Sequence, residues 1–362
     1  SNQKGAQCLL SYGARACTDV AGLDLTALTD HDGPQGRFLS HRCNFDKKLK
    51  ESSLNISPKE WRYLKSKARQ YNSPGRFVTF QAYEWTSNRC GHRNIYYLNN
   101  NAPLFSSYNP DSNTPAKLWR KLKGVKAIVI PHHPSGLHHI SHGGNSTMDW
   151  TIHNDFYQRI AEIFSIHGSS EKFGHPLNYT LTRHSGHFVQ DALKMGHHLG
   201  IISSSDCHNG HPGLSGLYDK HGSKDRNSHH EKQRRGCLVA VYAPELTREA
   251  VWNALWNRRC YGTTGKRIIL EFTIDGRFMG EEYKTAKKER RVEVSVIGTA
   301  RIKTVELLKD NRITYVHRGK GKALTFVYED KNNKRGESFY YVRVTQVDGE
   351  MAWSSPIWVD ME

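Results

Sequence analysis

Apolar residues in the first 265 positions fall into short runs, and most of these runs end in polar residues. Continuous apolar runs of this length are typical of strands that are buried on both faces. Residues 126–130 are of the kind found in parallel sheets. Strands are predicted over residues 23–28, 76–83, 94–98, 126–130, 159–165 and 199–202, with 76–83 and 94–98 paired as a hairpin.

Helix signals lie between these runs. Ser57 is followed by Pro58 and Glu60, which is the pattern of a capping box at the start of a helix. This helix is predicted to run to about Tyr71. Further helices are predicted over residues 115–123, 188–195 and 245–259, the last with Thr247 as its N-cap.

Beyond residue 266 the apolar residues recur with period two. Tyr340, Val342 and Val344 line one face of a predicted strand, and turn-forming pairs occur at residues 310–311 and 348–349. This pattern predicts a small antiparallel sheet or sandwich without a cluster of titratable groups. We expect it to pack against the preceding domain rather than to supply chemistry.

Metal-binding residue types follow several of the predicted strands. Asp206 and His208 lie two residues apart after the last run, so both side chains can point the same way while Cys207 points into the packing. In a barrel of parallel strands such exits converge on one mouth, where catalytic residues collect. We therefore predict an α/β fold: a distorted TIM-like β/α barrel over residues 1–265 and a β-sandwich-like domain over residues 266–362.

Six motifs in the chain together resemble the PHP superfamily of metal-dependent phosphoesterases, and more closely its DUF3604 branch. Their joint order makes the resemblance specific, whereas each alone is weak. It extends from about residue 21 to the C-terminus, where residues 352–359 are similar to the β-rich end of that branch. The motifs are TDHD at 29–32, YEWT at 83–86, GHRN at 91–94, PHHP at 131–134, EIFSIHGSSE at 162–171 and SDCHN at 205–209.

The resemblance implies a set of metal ligands. Glu84 would be the bridging carboxylate, and His133 is preferred to its neighbour because a His-Pro step is the commoner pattern in the family. Mixed imidazole and carboxylate ligands suit zinc, manganese or iron better than calcium. The implied ligands are His31, Glu84, His92, His132 or His133, Asp206 and His208.

One family motif has no counterpart in the chain. PHP proteins usually carry a His-x-His at the end of the first strand, and no histidine precedes His31 here. Either the sequence is truncated ahead of that motif, or the site has lost part of its metal cluster. We expect two or three divalent ions if the full gene encodes the motif, and fewer otherwise.

Four further residues are candidates for catalysis, each with a simpler alternative. Arg93 could clamp a phosphate or form a surface salt bridge. His167 could bind metal or phosphate, or only bond backbone. Asp30 could orient a ligand histidine or be a turn residue. His211 could protonate a leaving group or merely line the entrance.

Positive charge is concentrated in the same part of the chain as the histidines. Residues 1–265 hold 33 Lys and Arg against 20 Asp and Glu, a net charge of +13, and 20 of the 21 histidines. This distribution suits an anionic substrate such as a phosphoester, although a solvated basic surface explains it equally well. The predicted function is hydrolysis of phosphoester bonds by metal-activated water.

A non-catalytic relative that binds a polyanion or a partner protein through the basic mouth is the alternative function. Nucleic acid would be one such polyanion, but no motif supports it. No nucleophile elbow, Walker A loop or dinucleotide fingerprint is present. The sequence does not indicate an oligomeric state.

The cysteine pattern favours a reducing compartment. Seven scattered cysteines, an odd number, argue against a disulfide framework, and a cytoplasmic location is predicted. The sequence has no run of about 18 apolar residues, so a membrane span is not expected. No signal peptide opens the chain as given, although trimming would hide one.

Overall fold

The computed structural model describes residues 21–32, 56–87, 89–136, 146–178, 184–206, 212–213, 237–331 and 334–362. Of these residues, 39% lie in strands and 13% in helices. No described helix is both long and apolar enough to cross a membrane.

The first sheet contains four strands in the order β1-β2-β3-β4. Its members are β1 (Leu25–Ala27), β2 (Val78–Trp85), β3 (Arg93–Tyr97) and β4 (Ala127–Pro131). β1 runs parallel to β2, whereas β2, β3 and β4 form an antiparallel meander. The predicted hairpin is confirmed, and the prediction that residues 126–130 form a strand of parallel type is wrong.

A second sheet of three strands carries the next segment of the chain. β5 (Ile160–Ser165) pairs in parallel with β7 (Gly200–Ser203) and in antiparallel fashion with the two-residue β6 (Gly168–Ser169). β5 and β7 are buried along their whole length, which explains their largely apolar sequence.

The predicted TIM-like β/α barrel is wrong. The described residues form separate sheets without a closed barrel, and three times as many of them lie in strands as in helices. The physical reason lies partly in the connection between β2 and β3, which is too short to hold the crossover helix that two parallel strands require. β3 therefore returns antiparallel.

Four helices lie among the described residues: α1 (Pro58–Tyr71), α2 (Pro115–Lys121), α3 (Val189–Lys194) and α4 (Arg248–Trp256). The capping box at α1 is confirmed, because Glu60 N donates to Ser57 Oγ at 3.2 Å and Ser57 N donates to Glu60 Oε2 at 2.8 Å. Thr247 likewise caps α4. Burial of Trp61 fixes α1 against the first sheet, where its ring contacts that of Tyr83.

The remaining strands build two antiparallel-rich sheets. The larger has the order β12-β19-β17-β18-β9-β8, with β14 and β15 joined to β17, and the smaller has the order β11-β10-β13-β16. The strands are, in chain order, β8 (Leu238–Val241), β9 (Cys260–Thr263), β10 (Ile269–Ile274), β11 (Arg277–Phe278), β12 (Glu282–Thr285), β13 (Arg290–Ile297), β14 (Ile302–Lys309), β15 (Arg312–Arg318), β16 (Ala323–Asp330), β17 (Gly336–Gln346), β18 (Met351–Ser354) and β19 (Ile357–Met361).

The C-terminal strands are joined to the first part of the chain by hydrogen bonds and by buried charge. β9, which precedes residue 266, pairs with β18, so one sheet spans both predicted domains. The carboxylate of Glu171 also accepts from Tyr341 at 2.7 Å, from Arg343 at 2.8 Å and from Trp353 at 3.0 Å. The C-terminal region thus packs against the preceding part of the chain, as predicted. It also supplies charged groups to a buried network, so the prediction that it holds no cluster of titratable groups is wrong, while the domain division itself stays a prediction.

The backbones of β9 and β7 lie close together at Gly262. A Cβ atom built on Gly262 would lie 2.8 Å from Ser203 N and 2.9 Å from Ile202 C. Only glycine therefore fits at position 262. This contact positions the end of β7, three residues before Asp206.

Candidate metal centre

The ends of β1 and β2 place two ligand candidates side by side. His31 forms a parallel bridge with Glu84, and Glu84 N donates to Asp30 O at 3.0 Å. Because neighbouring residues of paired strands share a face, the His31 and Glu84 side chains point the same way. Asp30 accepts this hydrogen bond through its backbone carbonyl, and Asp30 is an exposed residue.

Glu84 is buried between two imidazoles. Its Oε2 lies 3.1 Å from His31 Nδ1, and its Oε1 lies 2.7 Å from His92 Nδ1. Burial alone would raise the pKa of Glu84, but the two histidines hold it well below its usual range. Burial opposes protonation of His31, yet the Glu84 carboxylate outweighs it and raises the pKa of His31 to about 9. Burial lowers the pKa of His92 despite the same carboxylate.

His132 follows β4 and is held by two carboxylates. Its Nδ1–H donates to Glu162 Oε2 at 2.9 Å, and its Nε2 lies 3.5 Å from Asp206 Oδ2. Burial would lower the pKa of His132, but both carboxylates raise it well above the usual value. Glu162 also accepts from the His133 backbone N–H at 3.0 Å and from the Ser204 hydroxyl.

His133 differs from its neighbour. Its ring is buried, and its Nδ1 has no hydrogen-bond partner among the described residues. Burial and the nearby histidines lower its pKa well below the usual value, so the ring is neutral and can offer a lone pair. The backbone has φ of +33°, in the left-handed region that residues with side chains rarely adopt.

Asp206 follows β7 and joins the same group of residues. Its Oδ2 lies 2.8 Å from His167 Nε2, and its pKa is held well below the usual range by His132 and His167 against the effect of burial. Its φ of +48° is also in the left-handed region. Strained backbone of this kind is found where the surrounding structure fixes a functional side chain.

These contacts define one imidazole–carboxylate cluster at strand ends. Ligand atoms of Glu84, His132 and His133 lie within 4.8 Å of one another. The His133 ring centroid lies 4.7 Å from that of His92 and 5.4 Å from that of His167. The cluster consists of His31, Glu84, His92, His132, His133, His167 and Asp206.

A protein-family model described as "Protein of unknown function (DUF3604)" matches residues 24–178 and 190–302, which is well over half of the chain. The chain belongs to the DUF3604 family. All residues of the cluster lie within the two matched segments of this DUF3604 chain.

Curated relatives of the DUF3604 chain come from chlamydiae and are uncharacterized proteins. The one from Chlamydia pneumoniae is 28% identical over 335 residues, which cover 86% of this chain and 51% of the relative. The one from Chlamydia trachomatis serovar D is 31% identical over 227 residues, 57% of this chain and 35% of the relative. The chain thus spans about half, or less, of the length of these relatives.

Solved structures show only slight likeness to the DUF3604 chain. Fibronectin(III)-like modules of Clostridium thermocellum CbhA match 25% of this chain and 97% of their own, at 16% identity and a TM-score of 0.20. A Jonesia denitrificans lytic polysaccharide monooxygenase matches 23% of this chain and 57% of its own, at 15% identity and a TM-score of 0.18. Likeness at this level supports no statement about fold or function.

Not every candidate residue of the DUF3604 chain joins the cluster. Arg93 is buried on the opposite face of β3, where it donates to Cys90 O at 2.7 Å and Gly91 O at 2.9 Å and lies over the Trp85 ring. Burial lowers the pKa of Arg93 to about 10. The structure therefore does not bring Arg93 to the cluster. His208 and His211 lie outside the described residues.

Two buried acidic residues that support the cluster from outside were missed by the sequence predictions. Glu162 lies in the middle of the buried strand β5, and an unexplained carboxylate in an apolar run was the available signal. Asp32 is buried and accepts from Thr86 N at 2.8 Å and from the backbone N–H and hydroxyl of Ser107. Burial raises the pKa of Asp32 to about 6. Asp32 holds the chain beside His31 rather than facing the cluster.

The donor set of the cluster fits a divalent transition metal. Ligand atoms around one ion stand about 3 Å apart, because each is about 2.0–2.2 Å from the metal. The contacts of Glu84 with His31 and His92 have this spacing. The buried, unpartnered Nδ1 of His133 provides a lone pair without a proton donor, which is the condition of a metal ligand. The hydrogen bond from His132 to Glu162 is the kind that orients ligand histidines.

Proposed function

We propose that the chain is a metal-dependent hydrolase of phosphoester bonds, related to the PHP superfamily. The main observation in support of this proposal is the imidazole–carboxylate cluster. Seven chemically suitable side chains from separate segments meet there, although each is costly to bury. A purely structural role would be served better by apolar residues.

The cluster residues would hold zinc, manganese or iron ions through imidazole nitrogens and carboxylate oxygens. Such an ion lowers the pKa of a bound water toward neutrality and stabilises charge on a phosphoryl group. Glu84 would contribute both carboxylate oxygens, since each already faces a different histidine. Glu162 would fix the orientation of the His132 ring.

His31 and His167 are the most exposed members of the cluster. The His31 side chain is 19% exposed and that of His167 is 15% exposed, against 9% for Asp206 and 4% for Glu84. A substrate would therefore meet these two histidines first, and His167 can donate a proton or a hydrogen bond to an anionic oxygen. Asp206 fixes His167 in the orientation needed for this role.

An anionic substrate fits the charge of the chain. Residues 1–265 carry a net charge of +13, which attracts phosphoesters by long-range electrostatics. The substrate class is proposed as phosphoesters in general, because the described residues carry no further phosphate clamp aimed at the cluster.

The test is metal analysis combined with hydrolysis of an aryl phosphomonoester and an aryl phosphodiester. We expect bound metal in the purified protein and turnover stimulated by manganese or zinc. Asp206→Asn should lower kcat/KM at least a hundredfold while the protein stays folded. Asp360→Asn, which alters a surface ion pair with Lys284, is the matched control and should keep full activity.

A protein that stays inactive after reconstitution with each metal would contradict the proposal. Salt-sensitive binding of a polyanion without any turnover would instead favour a non-catalytic role. Scanning both ester types under the same conditions separates the wrong substrate class from the absence of catalysis.

A further inference from the structure

A second group of metal-binding side chains lies at the opposite ends of the strands that carry Asp206 and His167. His153 and Asp155 lie in the segment before β5, and His197 lies just before β7. One ligand atom of each lies within 4.8 Å of the others. Because the imidazole–carboxylate cluster follows the C-terminal ends of β5 and β7, the His153 group is a separate location.

His153 is a largely buried imidazole that is paired with a carboxylate through one ring nitrogen. Its side chain is 6% exposed, and its Nε2 lies 3.0 Å from Asp155 Oδ1. Its Nδ1 has no hydrogen-bond partner among the described residues. Burial, reinforced by His197 and partly offset by Asp155, lowers the pKa of His153 to about 4.

His197 is held in the tautomer that metal binding requires. Its Nε2–H donates to Trp150 O at 2.7 Å, which leaves Nδ1 with a lone pair. A backbone carbonyl that accepts from the far nitrogen of a histidine is a common support for a metal ligand. The His153 and His197 rings stack at 4.0 Å, so the two imidazoles are already adjacent.

We propose that His153, Asp155 and His197 bind a divalent transition-metal ion, best matched by zinc, at a second site. Two imidazoles and one carboxylate form a three-ligand set that leaves a position open to solvent. Asp155 is 83% exposed, so an ion can reach the site from solution. Because the rings stack rather than converge, they must turn to share an ion, and the affinity is lower than that of a closed structural site.

Metal binding at the His153 group would join two connections that are distant in sequence. The ion would tie the segment before β5 to the turn between α3 and β7. Both strands would then be fixed at their N-terminal ends. Their other ends lead to His167 and Asp206, so the second ion would restrain the elements that deliver these residues.

The experiment is zinc titration of the whole chain against a chromophoric chelator. Asp155→Asn and His153→Asn are compared with the unaltered protein. We expect each variant to lose one zinc equivalent, or to bind it at least tenfold more weakly. Asp111→Asn, at a similarly exposed aspartate, is the control and should bind like the unaltered protein.

The double variant Glu84→Gln with Asp206→Asn separates the two sites. It should keep the weaker zinc equivalent, and its zinc X-ray absorption should show nitrogen and oxygen ligands including imidazole. Unchanged zinc number and affinity in both Asp155→Asn and His153→Asn would overturn the proposal. That comparison remains decisive if the double variant fails to fold, because Asp155 is exposed and its replacement leaves the core unchanged.

Discussion

Glu162 supports two neighbouring histidines in different ways. It accepts from the ring of His132 and from the backbone N–H of His133, so one carboxylate fixes a side chain and the adjacent main chain. The hydroxyl of Ser204 donates to the same carboxylate. All three contacts require an acceptor at this point of β5.

We therefore expect Glu162→Gln to weaken metal binding about 10- to 100-fold, which is the usual cost of removing such a support. The glutamine amide places a donor where His132 Nδ1–H or the Ser204 hydroxyl needs an acceptor. Competition with a chelator measures the affinity. Glu329→Gln, at an exposed ion pair, is the control. Equal affinities in the two variants would show that Glu162 does not orient His132.

The histidines and acids that meet at the strand ends could largely be predicted from the sequence, but their individual contacts could not. A histidine or an acid directly after a buried run has few other uses, which made His31, Glu84 and Asp206 visible. The choice between His132 and His133 depends on contacts made across the fold. Only the structure shows that Glu162 holds the first ring and that Nδ1 of the second lacks a hydrogen-bond partner among the described residues.

His175 gives the stability a pH dependence. Burial lowers its pKa to about 4; Glu171 partly offsets this effect and Arg343 reinforces it. The unfolded chain takes up a proton near the ordinary value of 6.5, while the folded chain does not until about 4. The contribution of His175 to the free energy of unfolding is therefore fully present above pH 6.5. It decreases as the pH falls toward 4, by up to about 3 kcal/mol.

Urea unfolding of the protein and of His175→Asn between pH 7 and 4 measures this contribution. Asparagine keeps an acceptor near the position of Nδ1, which accepts from Leu177 N at 3.1 Å. We expect the variant to lose less stability over this range than the unaltered protein. His198→Asn, at a more exposed histidine, should not reduce the loss in the same way. Parallel curves for His175→Asn and the unaltered protein would contradict the assignment.

At the scale of elements, a buried ion-pair network fastens β17 to the turn after β6. Arg343 donates to Glu171 at 2.8 Å and to Glu306 at 2.7 Å, and its side chain is 8% exposed. Glu171 also accepts from Tyr341 and Trp353. Three strands of the large sheet thus depend on one guanidinium and one carboxylate.

We expect Arg343→Met to destabilise the fold by about 3–5 kcal/mol, because it leaves the buried Glu171 and the half-buried Glu306 without their cation. Urea denaturation measures the change. Arg291→Met removes an exposed pair with Glu293 and should cost less than about 1 kcal/mol. A similar small cost at both positions would mean that water reaches the network.

Local signals were sufficient for several elements and insufficient for strand direction. The capping box of α1 and the β2–β3 hairpin depend on neighbouring residues, and both are confirmed. The apolar run of β4 is buried, as predicted, but it pairs antiparallel with β3. Burial on both faces produces the same sequence in either direction, so the pattern could not decide.

At the scale of the whole molecule, the barrel was wrong because it was inferred from where polar residues follow strands. The described strands form several sheets, yet their ends still meet at the imidazole–carboxylate cluster. Convergence of strand ends therefore did not require a closed ring of parallel strands. The meeting of several histidines and acids was predictable from residue types, whereas the architecture depended on connections between strands.

Bound metal should stabilise the whole molecule if it occupies the cluster. We expect the melting temperature to fall on dialysis against a chelator and to recover when manganese or zinc is added. The gain is about 4 kcal/mol at a free metal concentration a thousand times the Kd. Calorimetry measures the shift, and Glu84→Gln should largely remove it. If none of the metals tested changes the melting temperature, the cluster does not bind metal in a way that stabilises the folded protein.

The narrow gap at Gly262 ties the geometry of the imidazole–carboxylate cluster to a position outside that cluster. A methyl group there would press on Ser203 and push the end of β7 outward, carrying Asp206 away from its partners. Position 262 can therefore serve as a marker when other DUF3604 sequences are read. In a relative with a bulky residue at this position, we expect either a different backbone path at the end of β7 or the absence of an acidic residue equivalent to Asp206.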